Sequence, residues 1–454
     1  MAQTSAVAEP VVPVTSFAPP VPEALGPASD DLALGARPGI VHRLLERFAL
    51  IAFGLYHLPL FVNNYPSLGG GGFNDDGLAP RWGHVFTPAG MWVARHVFHM
   101  AGPMTGASRG DNGDVGEEFG RLLASVVVAI VGAIVWTAAD RRRPRGRWVG
   151  GTLRVLLRYS IALGLASYAI AKILPVQFPP LTPIAFEDRL GDMAPMSLLW
   201  RFMEYSRPYA FFGGVMELCV VVLLCFRRTA TLGALVCLTV MSNVAALNYA
   251  YGVQVKLYST MIVLSAAVLL LYDAPRLLAV FVRNETAPPA PLASPFHERI
   301  PFGLRWTIKV MLVGSVIVSS LAAMLPAAAV GSTRSSPIDG AWVVTAFARN
   351  GEALESTGSA ARWRRLIVDQ GSVAIRLETD SMLYCRRSAP SDSTAIRFAC
   401  GAKGNGSLRW TRAGGETQFD GTFDGAHVTA SGRRLDANDY RLLRGKFRFI
   451  YDRQ

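Results

Sequence analysis

Glu217 lies halfway along an unbroken apolar run, PYAFFGGVMELCVVVLLCF, at positions 208–226. A run of that length is a membrane span, and a carboxylate at its centre costs about 2.5–3.5 kcal/mol to insert. A group held at such a cost faces the bundle interior and has a partner, which makes Glu217 a candidate acid or base. Lys172, Asn243, Asn248 and Lys256 fall in or beside the outer halves of neighbouring apolar runs. Together they could form an outward-opening pocket. Glu217 would exchange a proton there, Lys172 or Lys256 would supply counter-charge, and Asn243 and Lys256 would orient a ligand. The same residues also fit a purely structural role: a Glu–Asn bond between helices, with lysine stems snorkelling to the interface.

Other chemistry finds less support in residue spacing. His57 is the only histidine within a span, whereas a haem held between helices needs two axial ligands. His96 and His99 share a helical face and could hold a metal with Asp111 or Asp114, although the spacing equally suits interfacial histidines. Asp114 and Glu117 fit a capping box opening the next span. The glycines at 69–72 do not join a strand to a helix, so no phosphate loop is implied. Cys219, Cys225 and Cys237 lack CxxC spacing, while Cys385 and Cys400 could pair as a disulfide in an oxidising compartment.

The elements that must hold these groups are membrane helices. The 454 residues are 51% hydrophobic and only 17% charged, with a mean hydropathy of +0.29. The formal charge of +12 is concentrated in loops such as DRRRPRGRWVGGTLR (140–154), which points to the positive-inside pattern of a membrane protein and away from nucleic acid. Seven spans are expected, at about 43–62, 119–138, 155–174, 208–226, 230–249, 256–272 and 305–326. Residues 82–100 are too polar for a span and read as an amphipathic surface segment. Placing the basic loops inside puts the amino terminus in the cytoplasm and the loops 63–118, 175–207 and 250–255 outside. The inner halves of the spans look too apolar for a transport path.

Residues 1–38, rich in Ala, Pro and Val, lack the pattern of a signal peptide and read as a disordered cytoplasmic tail. Residues 39–154 then form a transmembrane pair with an external loop, 155–283 a four-helix core, and 284–326 a linker with the last span. After Pro326 the pattern changes to short alternating stretches between turns, so 327–454 is expected to be an antiparallel β-sandwich or barrel outside the membrane. Asn350-Gly351 and Asp424-Gly425 carry hairpin-turn chemistry.

The stretch YAIAKILPVQF… through TATLGAL (168–235), the GGVME approach to Glu217 (213–217) and SNVAALNYAYGVQVKLYS (242–259) resemble the DoxX-like group of bacterial membrane proteins. WVARHVF (92–98), GDNGD (110–114), ADRRR (139–143) and the ending LLRGKFRFIYDR (442–453) resemble longer members, whose matching loop more often reads GSGDT. The resemblance implies a four-helix membrane core over spans three to six, in the bacterial inner membrane, with a periplasmic β domain. Through relatives linked to thiosulfate oxidation by quinone and to an oxidative-stress complex, it also implies a redox role, a quinone ligand and a membrane or periplasmic redox partner. A weaker likeness to the membrane architecture of vitamin-K-type carboxylases would give Lys172 interest as a base. A non-catalytic anchor that presents the β domain to a partner is the alternative. The residues leave open whether the chain is an enzyme.

Overall fold

The structure, a computed structural model, describes residues 39–63, 78–100, 114, 116–140, 147–178, 180–287, 300–333, 336–355, 359–388 and 395–444. The expected tail over 1–38, Asp111 and the ending after 444 lie outside the described residues. The helices are α1 (Ile40–Asn63), α2 (Leu78–His96), α3 (Gly116–Ala139), α4 (Arg147–Ile173), α5 (Pro183–Glu187), α6 (Pro195–Tyr205), α7 (Arg207–Cys225), α8 (Ala230–Ala250), α9 (Lys256–Leu271), α10 (Ala274–Phe281) and α11 (Phe302–Thr333).

Five of these, α3, α4, α7, α8 and α11, are long and apolar enough to cross a membrane. The pair α9–α10, bent by 76°, makes a sixth if it is one broken span. Among the described residues five or six is thus the supported number, against the seven expected. The expected span at 43–62 coincides with α1, whose side chains from 58 onward lie outside the described residues. Large apolar side chains such as Val131 and Val135 on α3, Phe212 on α7, and Met311 and Val318 on α11 are more than half exposed. An exposed apolar surface of that extent is what contact with lipid requires.

Helix α4 is the hub. Of its spanning stretch, 67% is buried, and it packs against α1, α7, α9 and α11. Leu153, Leu157, Ile161 and Leu165 recur every fourth residue and are almost fully buried, while Ala162, Ala166 and Ala169 let neighbours approach. Helix α1 lies alongside: Arg47 pairs with Asp140 at the end of α3, and Glu46 accepts from the Tyr272 hydroxyl just past α9. Further along, His57 Nε2 lies 3.0 Å from Ser265 Oγ.

The carboxyl-terminal domain is an antiparallel barrel. Its strands are β1 (Gly340–Arg349), β2 (Glu352–Ala353), β3 (Trp363–Val368), β4 (Ser372–Leu377), β5 (Met382–Arg387), β6 (Ala395–Ala399), β7 (Asn405–Ala413), β8 (Glu416–Phe423) and β9 (Ala426–Arg434). Consecutive long strands are neighbours, and β1 pairs with β9 to close eight strands, with β2 a short extension on β1. Closure removes the exposed edges of an open sheet. Alternation along the strands turns Trp342, Trp363, Phe398, Phe419 and Phe423 inward, so the barrel interior is a packed core. Cys385 on β5 and Cys400 after β6 form a disulfide within that core. Asn350-Gly351 and Asp424-Gly425 take positive φ at both residues, which suits two-residue hairpin turns.

The barrel rests on the segment between α4 and α7. Ile184 of α5 packs on an outer patch formed by Ala341, Ile367 and Ala374. Beside it, buried Glu187 pairs with Arg365 and accepts the Tyr440 hydroxyl at 2.9 Å, while Arg376 donates to the Glu187 carbonyl. Asp188 accepts from the Tyr384 hydroxyl at 2.7 Å and from Arg201 at 2.9 Å. This contact puts the barrel at the same end of the bundle as the α4–α7 segment.

Candidate intramembrane site around Lys172 and Glu217

Helices α4 and α7 meet through glycine. A Cβ at Gly214 would lie 2.9 Å from the Ala169 carbonyl oxygen, 2.9 Å from Lys172 Cβ and 3.0 Å from Ile173 Cγ1. Only a bare Cα permits that approach, and it brings Lys172 level with the next turn of α7. Lys172 Nζ donates to both Glu217 oxygens at 2.8 Å. Ten residues at about 1.5 Å each set Glu217 about 15 Å below the start of α7, near mid-depth. Helix α4 ends one residue after Lys172, so the pair lies beneath the segment that carries the barrel.

Tyrosines border the pair. The Tyr168 ring centroid lies 5.6 Å from Lys172 Nζ, and Tyr168 stacks on Tyr258 of α9 at 5.8 Å. Tyr258 fits because position 164 is glycine: a Cβ there would collide with its hydroxyl. Tyr56 of α1, Tyr258 and the buried thiol of Cys237 on α8 belong to the same packed core. A charge pair and two stacked phenols thus converge from α4, α7 and α9. This set can donate to a carbonyl, accept from a hydroxyl and stack against a flat ring.

The structure does not gather all the expected pocket residues. Asn243 is exposed on α8, because the buried face of that helix runs through Cys237, Met241 and Asn248, and position 243 falls roughly opposite. It does not orient a group at Glu217. Lys256 is also not a counter-charge for Glu217: its Nζ lies 3.2 Å from Asp114 and 3.0 Å from the Val253 carbonyl. Asn248 donates to Ser259 Oγ at 3.1 Å, tying α8 to α9.

Asp114 acts differently from the expected capping box. Its carboxylate accepts the backbone N–H groups of Lys256 and Leu257 at 2.8 and 2.9 Å, so it caps α9 from a distant part of the chain. That role also removes it from a metal set with His96 and His99. His96 Nδ1 instead lies 2.8 Å from the Trp92 carbonyl, and the ring stacks on Trp92. Among the described residues no three His, Cys, Asp or Glu side chains gather as metal ligands. The other end of the bundle is more polar than expected, with Arg47 and Arg158 both buried.

Sequence reasoning missed the tyrosines. Tyr168 precedes Lys172 by four residues, which placed it on the same helical face, but Tyr258 required knowledge of how α9 packs.

No protein-family model matches this chain, and no solved structure matches it. Over 140 residues, 29% of this chain, it is 31% identical to the uncharacterized protein YwoB of Bacillus subtilis (strain 168). The match takes in 89% of that protein. With nearly the whole relative accounted for, the chain belongs to the same family as YwoB.

Proposed function

We propose that the bundle binds the polar head of a hydrophobic small molecule, a quinone in the simplest case, beside Glu217. The observation that carries this reading is the buried Lys172–Glu217 pair bordered by stacked Tyr168 and Tyr258. The lysine donates to a quinone carbonyl, the carboxylate accepts from a quinol hydroxyl and exchanges its proton, and a phenol ring covers the head group. The protein is then a redox-linked, DoxX-like subunit of a bacterial inner membrane that works with a membrane or periplasmic partner. Lys172 serves as half of an ion pair, which disfavours a carboxylase-like role as a free base.

The same proposal gives the chain seven crossings, with the amino terminus cytoplasmic and the barrel periplasmic. Its support is the course of α1 beside α9 from Glu46 to His57, together with the basic loops. Binding of short-chain ubiquinone and menaquinone analogues to the purified protein, compared with folded Glu217→Gln, tests the site. Equal affinity in the two proteins rejects it.

A second reading has its own observation. The barrel is held on the bundle by Ile184, Glu187 and Asp188, as an anchored presentation domain requires. Under that reading Glu217→Gln is silent, and deletion of 333–454 abolishes function.

A further inference from the structure

The outer wall of the barrel carries a line of arginines. Alternation along β5, β6 and β7 turns Cys385, Ile396, Phe398 and Leu408 into the core. The same alternation leaves Arg386, Arg397 and Arg409 exposed on the outer face. Strand register sets them on one diagonal. Arg386 faces Ala399, two residues from Arg397, and Arg397 faces Ser407, two residues from Arg409. Diagonal neighbours of this kind lie about 7–8 Å apart, so the three arginines cross the wall at one constant step.

The surroundings leave the line open. Arg386 stands opposite Ala399, Arg397 opposite Ser407 and Arg409 opposite Ala395, so only small side chains flank the arginines there. Among the described residues, none of the three side chains makes a hydrogen bond or meets an acid. Asp420 of β8 faces Arg409 from the other side, but its carboxylate lies 3.5 Å from His427, and it ends the line. Other arginines of the barrel are committed: Arg362 pairs with Glu378, Arg387 with Asp339 and Arg433 with Asp439. Along residues 386–412 the sequence holds six basic residues against one acid, Asp392.

We propose that Arg386, Arg397 and Arg409 bind a linear phosphodiester polymer laid across the outer wall of the barrel. Each guanidinium fork takes one phosphate of the chain, a match of planar donors to paired oxygens that arginine makes better than lysine. Charge complementarity selects a polyanion, and the even step selects a chain whose charges recur. An acidic protein partner would need a large apolar anchor at the centre of its interface. A nucleic acid held through its bases would need exposed rings for stacking. Among the described residues no large apolar side chain is exposed between Arg386 and Arg409. The exposed ring of Tyr384, two residues before Arg386, is committed to Asp188. The surface belongs to the barrel and is independent of any ligand at Glu217.

The test is fluorescence anisotropy of a short labelled abasic oligonucleotide, a single phosphodiester strand without bases, titrated with the full chain in detergent. Three neutralised phosphates on a single strand should give a slope of about −2 in log affinity against log salt. Arg386→Gln, Arg397→Gln and Arg409→Gln should each reduce the magnitude of that slope by about 0.7, and the triple variant should remove it. Arg433→Gln, exposed but paired with Asp439, should leave it unchanged. Replacing all three by Lys should keep the slope and lower the affinity. Binding that survives in the triple Gln variant belongs to basic loops such as 140–154 and overturns the proposal. Equal affinity for a polyglutamate peptide of matched charge assigns the surface to an acidic protein segment and also overturns it. So does displacement by glycerol phosphate at equal phosphate concentration, since a single phosphate would then suffice. The two competitions use the natural chain alone, so a variant that fails to fold does not leave the question open.

Discussion

Lys172 Nζ lies 2.8 Å from each carboxylate oxygen of Glu217, and the two residues are only 8% and 2% exposed. The contact joins the end of the central helix α4 to the middle of α7. In so dry a setting each charge depends on the other, and removing one strands its partner. Glu217→Gln and Lys172→Met should each destabilise the bundle by about 3–5 kcal/mol, while the double variant recovers most of the loss. A double-mutant cycle of unfolding in detergent checks this. Additive losses would show that the two side chains do not depend on each other.

Gly213 and Gly214 should respond in opposite directions to the same substitution. A Cβ at Gly214 is blocked by the backbone of Ala169 and by Lys172, so Gly214→Ala must push α4 and α7 apart at a cost of about 1–3 kcal/mol. At Gly213 the nearest obstacle is Lys172 Cδ at 3.8 Å, an ordinary contact. Gly213→Ala should therefore be neutral or gain up to about 1 kcal/mol from helix propensity. Equal losses at both positions would mean that the close approach is not centred on Gly214.

The membrane helices and the β domain were legible because each has its own period: long apolar runs in the first 326 residues, and short alternation with Asn-Gly and Asp-Gly turns afterwards. The apolar run around Glu217 marked it as enclosed, and glycines at 213 and 214 indicated a close neighbour. The identity of that neighbour was less legible. Lys172 and Lys256 were equivalent in sequence, and only the packing of α4 on α7 separates them. Asn243 shows a related limit, since depth in a span can be counted from sequence but the direction a side chain faces depends on partner helices. Asp114 caps α9 from 142 positions away, a contact with no local signature. Arg158 and Arg47 were readable only as basic residues near helix ends, and their burial comes from the helices that close over them.

The disulfide should matter to the barrel alone. Cys385 and Cys400 are separated by 15 residues, and a loop of that size contributes about 3 kcal/mol by restricting the unfolded chain. Reduction, or paired Cys385→Ala and Cys400→Ala, should lower the barrel's thermal transition and leave the Lys172–Glu217 coupling energy intact. Scanning calorimetry with and without reductant, combined with the double-mutant cycle, separates the two domains. Loss of the coupling on reduction would show that the bundle needs the folded barrel.

Docking of the barrel should loosen from two directions. Glu187 is buried among Arg365, Arg376 and Tyr440, so Glu187→Ala leaves cationic groups without their acid and should weaken docking by about 3 kcal/mol. The nearby Arg189, itself paired with Asp380, becomes the natural site for trypsin, and cleavage there should quicken about tenfold or more. Alkaline pH should act on the neighbouring contact. Partial burial and the hydrogen bond to Asp188 push the Tyr384 phenol up to about 12 from its ordinary 10. A raised pKa means that the docked state holds this proton more tightly than the free state does. The contribution is therefore complete below pH 10 and disappears as the pH rises towards 12. Absorbance titration should show one tyrosine ionising near pH 12, returning towards 10 in Asp188→Asn. If that substitution leaves the titration unchanged, Asp188 is not what holds the Tyr384 proton, and the contact cannot tie the barrel to the bundle.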